Sequence, residues 1–265
     1  DDDSSSSSFG AVMGSKKLKA VAIRGEDSRP TVANPERLRE LTRYIHKLKP
    51  DGARDFFHFR QPSPEMIPPA EKTKLLRCYG CVSGCNRITY EAADGEKGKF
   101  YCQAANFYAR RALPYYGGWS DVPFQATRLC NKYGLNTGII APIIEWLLRC
   151  YKAGILTDEN TGIPISKLGS IEFMETLIRK VSFREGFGDV LAQGIHKAAD
   201  SMGSKAKELL TDYICKTGQT ANYGPRIYIT TGLLYAMEPW RPIAQLHQIS
   251  KQVIKWKVRV NGLED

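Results

Sequence analysis

Between residues 121 and 203, glycines recur where apolar helical periodicity stops, which commits the middle of the chain to packed helices. Asp121 to Lys132 predicts one helix, with Gly134 as its C-terminal cap. Gly138 to Ala153 predicts a second, apolar nearly all round and therefore buried. Ser170 to Arg184 and Phe187 to Met202 are amphipathic and closed by Gly186 and Gly203. Upstream, Asn34 is an N-cap, Pro35 fits a first helical position, and Leu38, Leu41, Ile45 and Leu48 share a face. Pro50 and Gly52 stop that helix, and Pro242 to Val258 predicts the last one. Few strands are expected after residue 30, and there is no internal repeat. The expected fold is mainly α, attached to the tail of a β-rich element. Its last strand is read in Ser15–Gly25, where apolar and polar residues alternate. The preceding FGAVMGSK carries Gly10 and Gly14 and reads as a loop whose backbone amides can approach a ligand closely.

At 265 residues the chain can bury one large or two modest cores. No apolar run reaches the roughly 18 to 20 residues of a membrane span. The longest, Ile139 to Leu148, is interrupted by Pro142 and Glu145. The opening DDDSSSSSFG has no basic start and no apolar core, so a signal peptide is not expected, and the chain reads as a piece of a longer protein. The net charge of +10 comes from scattered Lys and Arg, without the interleaved aromatics of a stacking platform, so nucleic acid is not an expected partner. Docking of an acidic electron carrier or an anionic substrate fits that charge better.

Seven cysteines are an odd and uneven set, unlike a secreted disulfide framework, and fit reduced thiols in the cytoplasm. Three fall in CYGCVSGCNR: Cys78, Cys81 and Cys85, separated by two and then three residues. A zinc site would show a second Cys or His pair about 12 to 20 residues on. Here Cys102 stands alone. The spacing, with Gly80 and Gly84 to turn the chain, suits three corners of a [4Fe–4S] cluster whose fourth ligand comes from far away. Zinc and unliganded thiols remain alternatives on the residues alone.

Several motifs, in order, resemble the tungsten-dependent aldehyde:ferredoxin oxidoreductase family. FGAVMGSKKLKAVAIRG looks like its hallmark segment, CYGCVSGC like its cluster motif, and NKYGLNT (Asn131 to Thr137) like its first pterin loop. REGFGDVLAQGI and YGPRIYITTGLLYA are similar to later family stretches. The likeness runs through most of residues 9 to 247. It implies tungsten held between two pyranopterins, a neighbouring [4Fe–4S] cluster, and ferredoxin or an iron–sulfur subunit as electron partner. It further implies residues 1–26 as the end of an N-terminal pterin-binding β domain, 27–210 as a helical domain with the cluster motif and first pterin loop, and 211–265 as the start of a second helical domain. The fourth cluster cysteine of the family falls in a later loop, beyond this chain.

The resemblance places Gly10, Gly14, Asn131, Gly134, Leu135, Asn136 and Lys216 against the pterins, with Lys216 near their phosphates or a magnesium ion. Asn131 and Asn136 stand where the family usually has Asp; the alternative is a helix cap built with Gly134. Cys130 is a candidate tungsten ligand, with a buried helix cysteine as the alternative. His247 is a candidate proton donor, with a packed histidine as the alternative. Arg226, in GPR, is given a structural role. Two departures matter. The family's aldehyde oxidisers carry a Glu in the stretch matching Cys102–Arg111, and a His at the position of Ile214; both acid/base groups are missing here. CQAANFYARRALPYYGGW and YGPRIYITTGLLYAMEPWRP instead look like the tungsten subunit of the class II benzoyl-CoA reductase branch. That implies an aromatic acyl-CoA substrate, with aldehyde oxidation and simple iron–sulfur electron transfer as alternatives. A dry aromatic pocket is then expected from Tyr115, Tyr116 and Trp119.

Overall fold

The computed structural model describes residues 9–25, 31–48, 68–76, 88–100 and 107–210, with Ile214 and Gly218. It is mainly helical, as expected. Helix α1 spans Phe9–Ser15 and α2 Pro35–Leu48; a three-stranded sheet of β1 (Thr73–Leu75), β2 (Ile88–Glu91) and β3 (Lys97–Phe100) follows. Then come α3 (Ala109–Tyr116), α4 (Val122–Lys132), α5 (Thr137–Lys152), α6 (Asp158–Thr161), α7 (Ile171–Phe183), α8 (Phe187–Ala192), α9 (Ile195–Ser201) and α10 (Ser204–Glu208).

The caps explain the boundaries. Asn34 Oδ1 accepts from the backbone N of Arg37 at 2.9 Å, so α2 begins where predicted. Ser170 Oγ caps α7 by accepting from Phe173 N at 3.1 Å. That helix ends at Arg184, which takes the left-handed conformation (φ 58°) two residues before the glycine expected to close it. The single helix predicted over Phe187–Met202 is two, because Gly194 at φ 100° breaks it between α8 and α9. The last expected helix, Pro242–Val258, lies outside the described residues.

Two expectations are corrected. Gly10 and Gly14 lie within α1, not in a loop. Over Ser15–Gly25 the chain makes no strand ladder among the described residues, and Leu18, Val21 and Ile23 are exposed (44%, 64% and 89%). A strand is stable only against a partner, and none packs here among the described residues.

The sheet itself was not foreseen. It is antiparallel in the order β1-β2-β3, with Leu75 opposite Ile88 and Tyr90 opposite Gly98. Its inner face carries Tyr90, Ala92 and Phe100, which join Phe124 of α4 in a small aromatic core. The main core is helical. Trp146, Leu147, Ile140 and Ile143 of α5 pack with Phe173, Met174, Leu177 and Ile178 of α7, and with Leu191, Ile195, Ala198 and Ala199 beyond. The prediction that α5 is buried is met on most of its circumference.

Candidate functional site

The described pairing of β1 with β2 ends at Leu75 opposite Ile88, so the residues that join those two ends are the ones carrying Cys78, Cys81 and Cys85. The cysteines themselves lie outside the described residues, as do Lys216, Arg226 and His247. Below the strands, Asp121 ties this hairpin to the helices. Its carboxylate accepts from Lys72 Nζ at 2.8 Å, Tyr90 Oη at 2.5 Å and the backbone N of Ala93 at 2.7 Å. Trp119 Nε1 donates in turn to Tyr90 Oη at 2.9 Å. Burial opposes ionisation of Asp121, yet the hydrogen bonds from Lys72, Tyr90 and Ala93 outweigh it and hold the carboxyl below its ordinary range. The bond to Asp121 raises the Lys72 ammonium, while burial first, and then Asp121, raises the Tyr90 phenol. Among the described residues, no three His, Cys, Asp or Glu side chains group as a metal site.

The turn between α4 and α5 contains four predicted binding residues. Leu135 N donates to Cys130 O at 2.8 Å and Gly134 N to Asn131 O at 3.1 Å, with Gly134 at φ 69°; this is a Schellman cap. Asn136 then caps α5, its Oδ1 accepting from Gly138 N at 2.7 Å. Both asparagines are therefore at helix ends, Asn131 in the last turn of α4 and Asn136 at the start of α5. The turn is partly exposed, and a Cβ on Gly134 would meet nothing within 4 Å. The backbone at Gly134 is therefore open on that side. Asn131 borders a cleft of about 540 Å³ with Arg128, Lys132 and Glu175. Cys130 faces the other way. It is fully buried in the helical core, and burial pushes its thiol up to about 12. Its neighbours are apolar side chains of that core, the packing that the alternative reading of Cys130 expects.

The second cleft was not anticipated as a unit. It has a volume of about 500 Å³ and runs between α3, α5 and the end of α10. Phe107, Arg110 and Arg111 line it from one side, Pro142, Glu145, Trp146 and Arg149 from α5, and Leu209 and Ile214 close it. The Cys102–Arg111 stretch and Ile214 were singled out in the sequence because each lacks an expected acid/base group; residues 102–106 lie outside the described residues, while Phe107, Arg110 and Arg111 share this cavity with Ile214. Glu145 supplies the single carboxylate. It is gripped by the Arg111 guanidinium and by Arg149 Nε at 3.3 Å. Sequence reasoning missed it, although Glu145 and Arg149 at i, i+4 on an otherwise apolar helix were a readable signal.

The aromatic pocket expected from Tyr115, Tyr116 and Trp119 is not formed. Trp119 packs on the sheet's aromatic core, 6.0 Å from Tyr90 and 6.2 Å from Phe100 between ring centroids. Tyr115 and Tyr116 meet edge to face and are 47% and 43% exposed; Tyr116 Oη accepts from Ile171 N at 3.2 Å. Gly117 ends α3 in the left-handed conformation and turns the chain away, which separates the tyrosines from the tryptophan.

A family model described as aldehyde ferredoxin oxidoreductase, domains 2 and 3, matches residues 54–258. A tungsten-containing aldehyde ferredoxin oxidoreductase of Pyrococcus abyssi is 27% identical over 243 residues, covering 76% of this chain and 39% of that protein. A Pyrococcus furiosus protein described as an aliphatic sulfonate oxidoreductase, WOR-like subunit, is 26% identical over 241 residues, covering 72% of this chain and 35% of its own length. Among solved structures, the active site complex BamBC of benzoyl coenzyme A reductase with 1,5-dienoyl-CoA matches with a TM-score of 0.55 at 20% identity, over 80% of this chain and 37% of that one. The chain thus spans about two fifths of the length of the curated relatives it matches.

Proposed function

The chain belongs to the aldehyde ferredoxin oxidoreductase family, and on that premise we propose that its parent protein is a tungsten-bispterin oxidoreductase reducing an aromatic acyl-CoA. The observation that carries this reading is the cleft. Phe107, Arg110 and Arg111, from the end of the stretch where an aldehyde oxidiser would present a Glu, line it together with Ile214, which stands at the position of its His. The one carboxylate that lines it among the described residues, Glu145, is held in ion pairs with Arg111 and Arg149. The structural likeness to a complex holding 1,5-dienoyl-CoA supports the same choice.

When bound, tungsten with its two pterins would supply a low-potential redox centre, and a cluster on Cys78, Cys81 and Cys85 would supply the path for electrons. The chain's own part is to hold and exclude. The α4–α5 turn offers Asn131 and the open side of Gly134 to a pterin edge, Leu135 and Asn136 complete the turn, and Lys216 would pair with its phosphates, with or without magnesium. Phe107, Pro142, Trp146, Leu209 and Ile214 give the cleft apolar walls, and such walls suit a low-potential centre because water beside it diverts electrons to protons. His247 is the candidate proton donor. Ferredoxin or an iron–sulfur subunit is the proposed electron partner. No helix among the described residues is long and apolar enough to cross a membrane.

Aldehyde oxidation is the second reading, favoured by the names of the curated relatives from Pyrococcus. Anaerobic assay of the intact parent protein with its partner subunits separates the two. Electron transfer with benzoyl-CoA and none with simple aldehydes is expected. Rapid aldehyde turnover with ferredoxin or viologen, and none with aromatic acyl-CoA esters, would show the aldehyde reading to be right.

A further inference from the structure

The cleft holds more positive charge than its carboxylate can offset. Arg110, Arg111 and Arg149 line it, against Glu145 alone. Arg111 and Arg149 share that one carboxylate, and Arg149 is also held across the cleft by a 3.5 Å bond from Nη1 to the carbonyl of Leu209. Arg110 is exposed and has no ion-pair partner among the described residues. Among the described residues the cavity therefore carries about two uncompensated guanidinium charges beside the apolar Trp146, Ile144 and Pro142. Trp146 is fixed as a wall by its Nε1 bond to Ala206 O at 2.8 Å.

A neutral aldehyde or an aryl ring makes no use of two surplus guanidiniums. An apolar group tethered to a phosphorylated carrier uses both the floor and the rim, because guanidinium forks match phosphate oxygens in charge and geometry. The cavity volume lies within the range of small-molecule sites, about 300–1,000 Å³. We infer that Arg110 and Arg149 bind the diphosphate of an acyl-carrier thioester in this cleft, while Arg111 and Glu145 position Arg149. This rests on the acyl-CoA reading above.

Binding is measured by calorimetry on the intact parent protein, with benzoyl-CoA, S-benzoylpantetheine (which has no diphosphate) and inorganic pyrophosphate as probes. Wild type is expected to bind benzoyl-CoA more tightly than the pantetheine thioester, with an affinity that falls as salt rises. In Arg110→Ala, and separately in Arg149→Gln, the ratio of those two affinities should fall about 10-fold and pyrophosphate binding should weaken alongside, as loss of a charge-assisted contact predicts. Arg110 is solvent-facing, so its variant is expected to fold, and its unfolding midpoint checks this. An unchanged ratio in both variants overturns the inference even if benzoyl-CoA is reduced, and leaves the function reading standing. Arg110-dependent pyrophosphate binding in a protein that turns over only aldehydes overturns the carrier assignment together with the acyl-CoA reading. Wild type that binds neither pyrophosphate nor coenzyme A also overturns it.

Discussion

Asp121 receives three hydrogen bonds from three places in the chain: Lys72 before β1, Tyr90 in β2 and Ala93 in the β2–β3 turn. It stands at the start of α4, so it fastens the cysteine-bearing hairpin to the helical body. Its carboxyl is held below the ordinary value near 3.9. Such a group contributes stability that is fully present above its unfolded pKa and is lost as pH falls through the folded one. Asp121→Asn is therefore expected to destabilise the protein by about 1–3 kcal/mol at neutral pH. The difference from wild type should shrink on acidification below about pH 4. Thermal unfolding from pH 7 to pH 3 measures this, and a gap that stays constant over that range would contradict the role given to the carboxylate. In the sequence Asp121 reads only as a residue at a helix start. Its partners are 28 to 49 positions away, so no local pattern could show the network.

Helices were legible and the sheet was not, for a physical reason. A helix closes its hydrogen bonds locally, so Asn34, Ser170, Gly134 and the apolar stripe of α7 announce themselves within a few residues. The strands TKL, ITYE and KGKF are three or four residues long, and β1 and β2 are separated by the cysteine segment, so their pairing is written nowhere in local periodicity. Gly134, Gly186 and Gly203 were read as stops, whereas Gly188, inside α8, serves close packing. A Cβ on Gly188 would lie 2.3 Å from the backbone carbonyl carbon and oxygen of Lys180 in α7. Gly203, at φ 94°, meets nothing within 4 Å and matters only for its backbone conformation. Gly188→Ala is therefore expected to cost about 3 kcal/mol by forcing α8 off α7, against about 1 kcal/mol for Gly203→Ala. Chemical denaturation of the two variants side by side checks the order. Equal losses would mean that the α7–α8 contact yields without cost.

At the scale of the molecule, two apolar cores meet in one helix. Val122, Ala126 and Cys130 of α4 face the helical core, while Phe124 turns into the aromatic cluster of the sheet. Its ring lies 5.0 Å from Tyr90 and 5.8 Å from Phe100 between centroids, and it is fully buried. The strands that flank the cysteine segment thus take their position from α4 twice, by the half-buried Asp121 and by Phe124 inside. The same helix ends in the turn proposed for a pterin, so α4 links that turn to the strands on either side of the cysteine segment. That relation was out of reach in the sequence, where α4 reads as one more amphipathic helix. Phe124→Ala removes the inner contact, with an expected cost of about 3–5 kcal/mol. Because the aromatic cluster is separate from the main core, the loss should be local. Hydrogen exchange at the β2 and β3 amides should speed up at least about 10-fold, while the amides of α5 and α7 keep their wild-type protection. Exchange that rises equally in α5 and α7 would show that the sheet and the helices unfold as one cooperative unit, and that α4 does not join two separable cores.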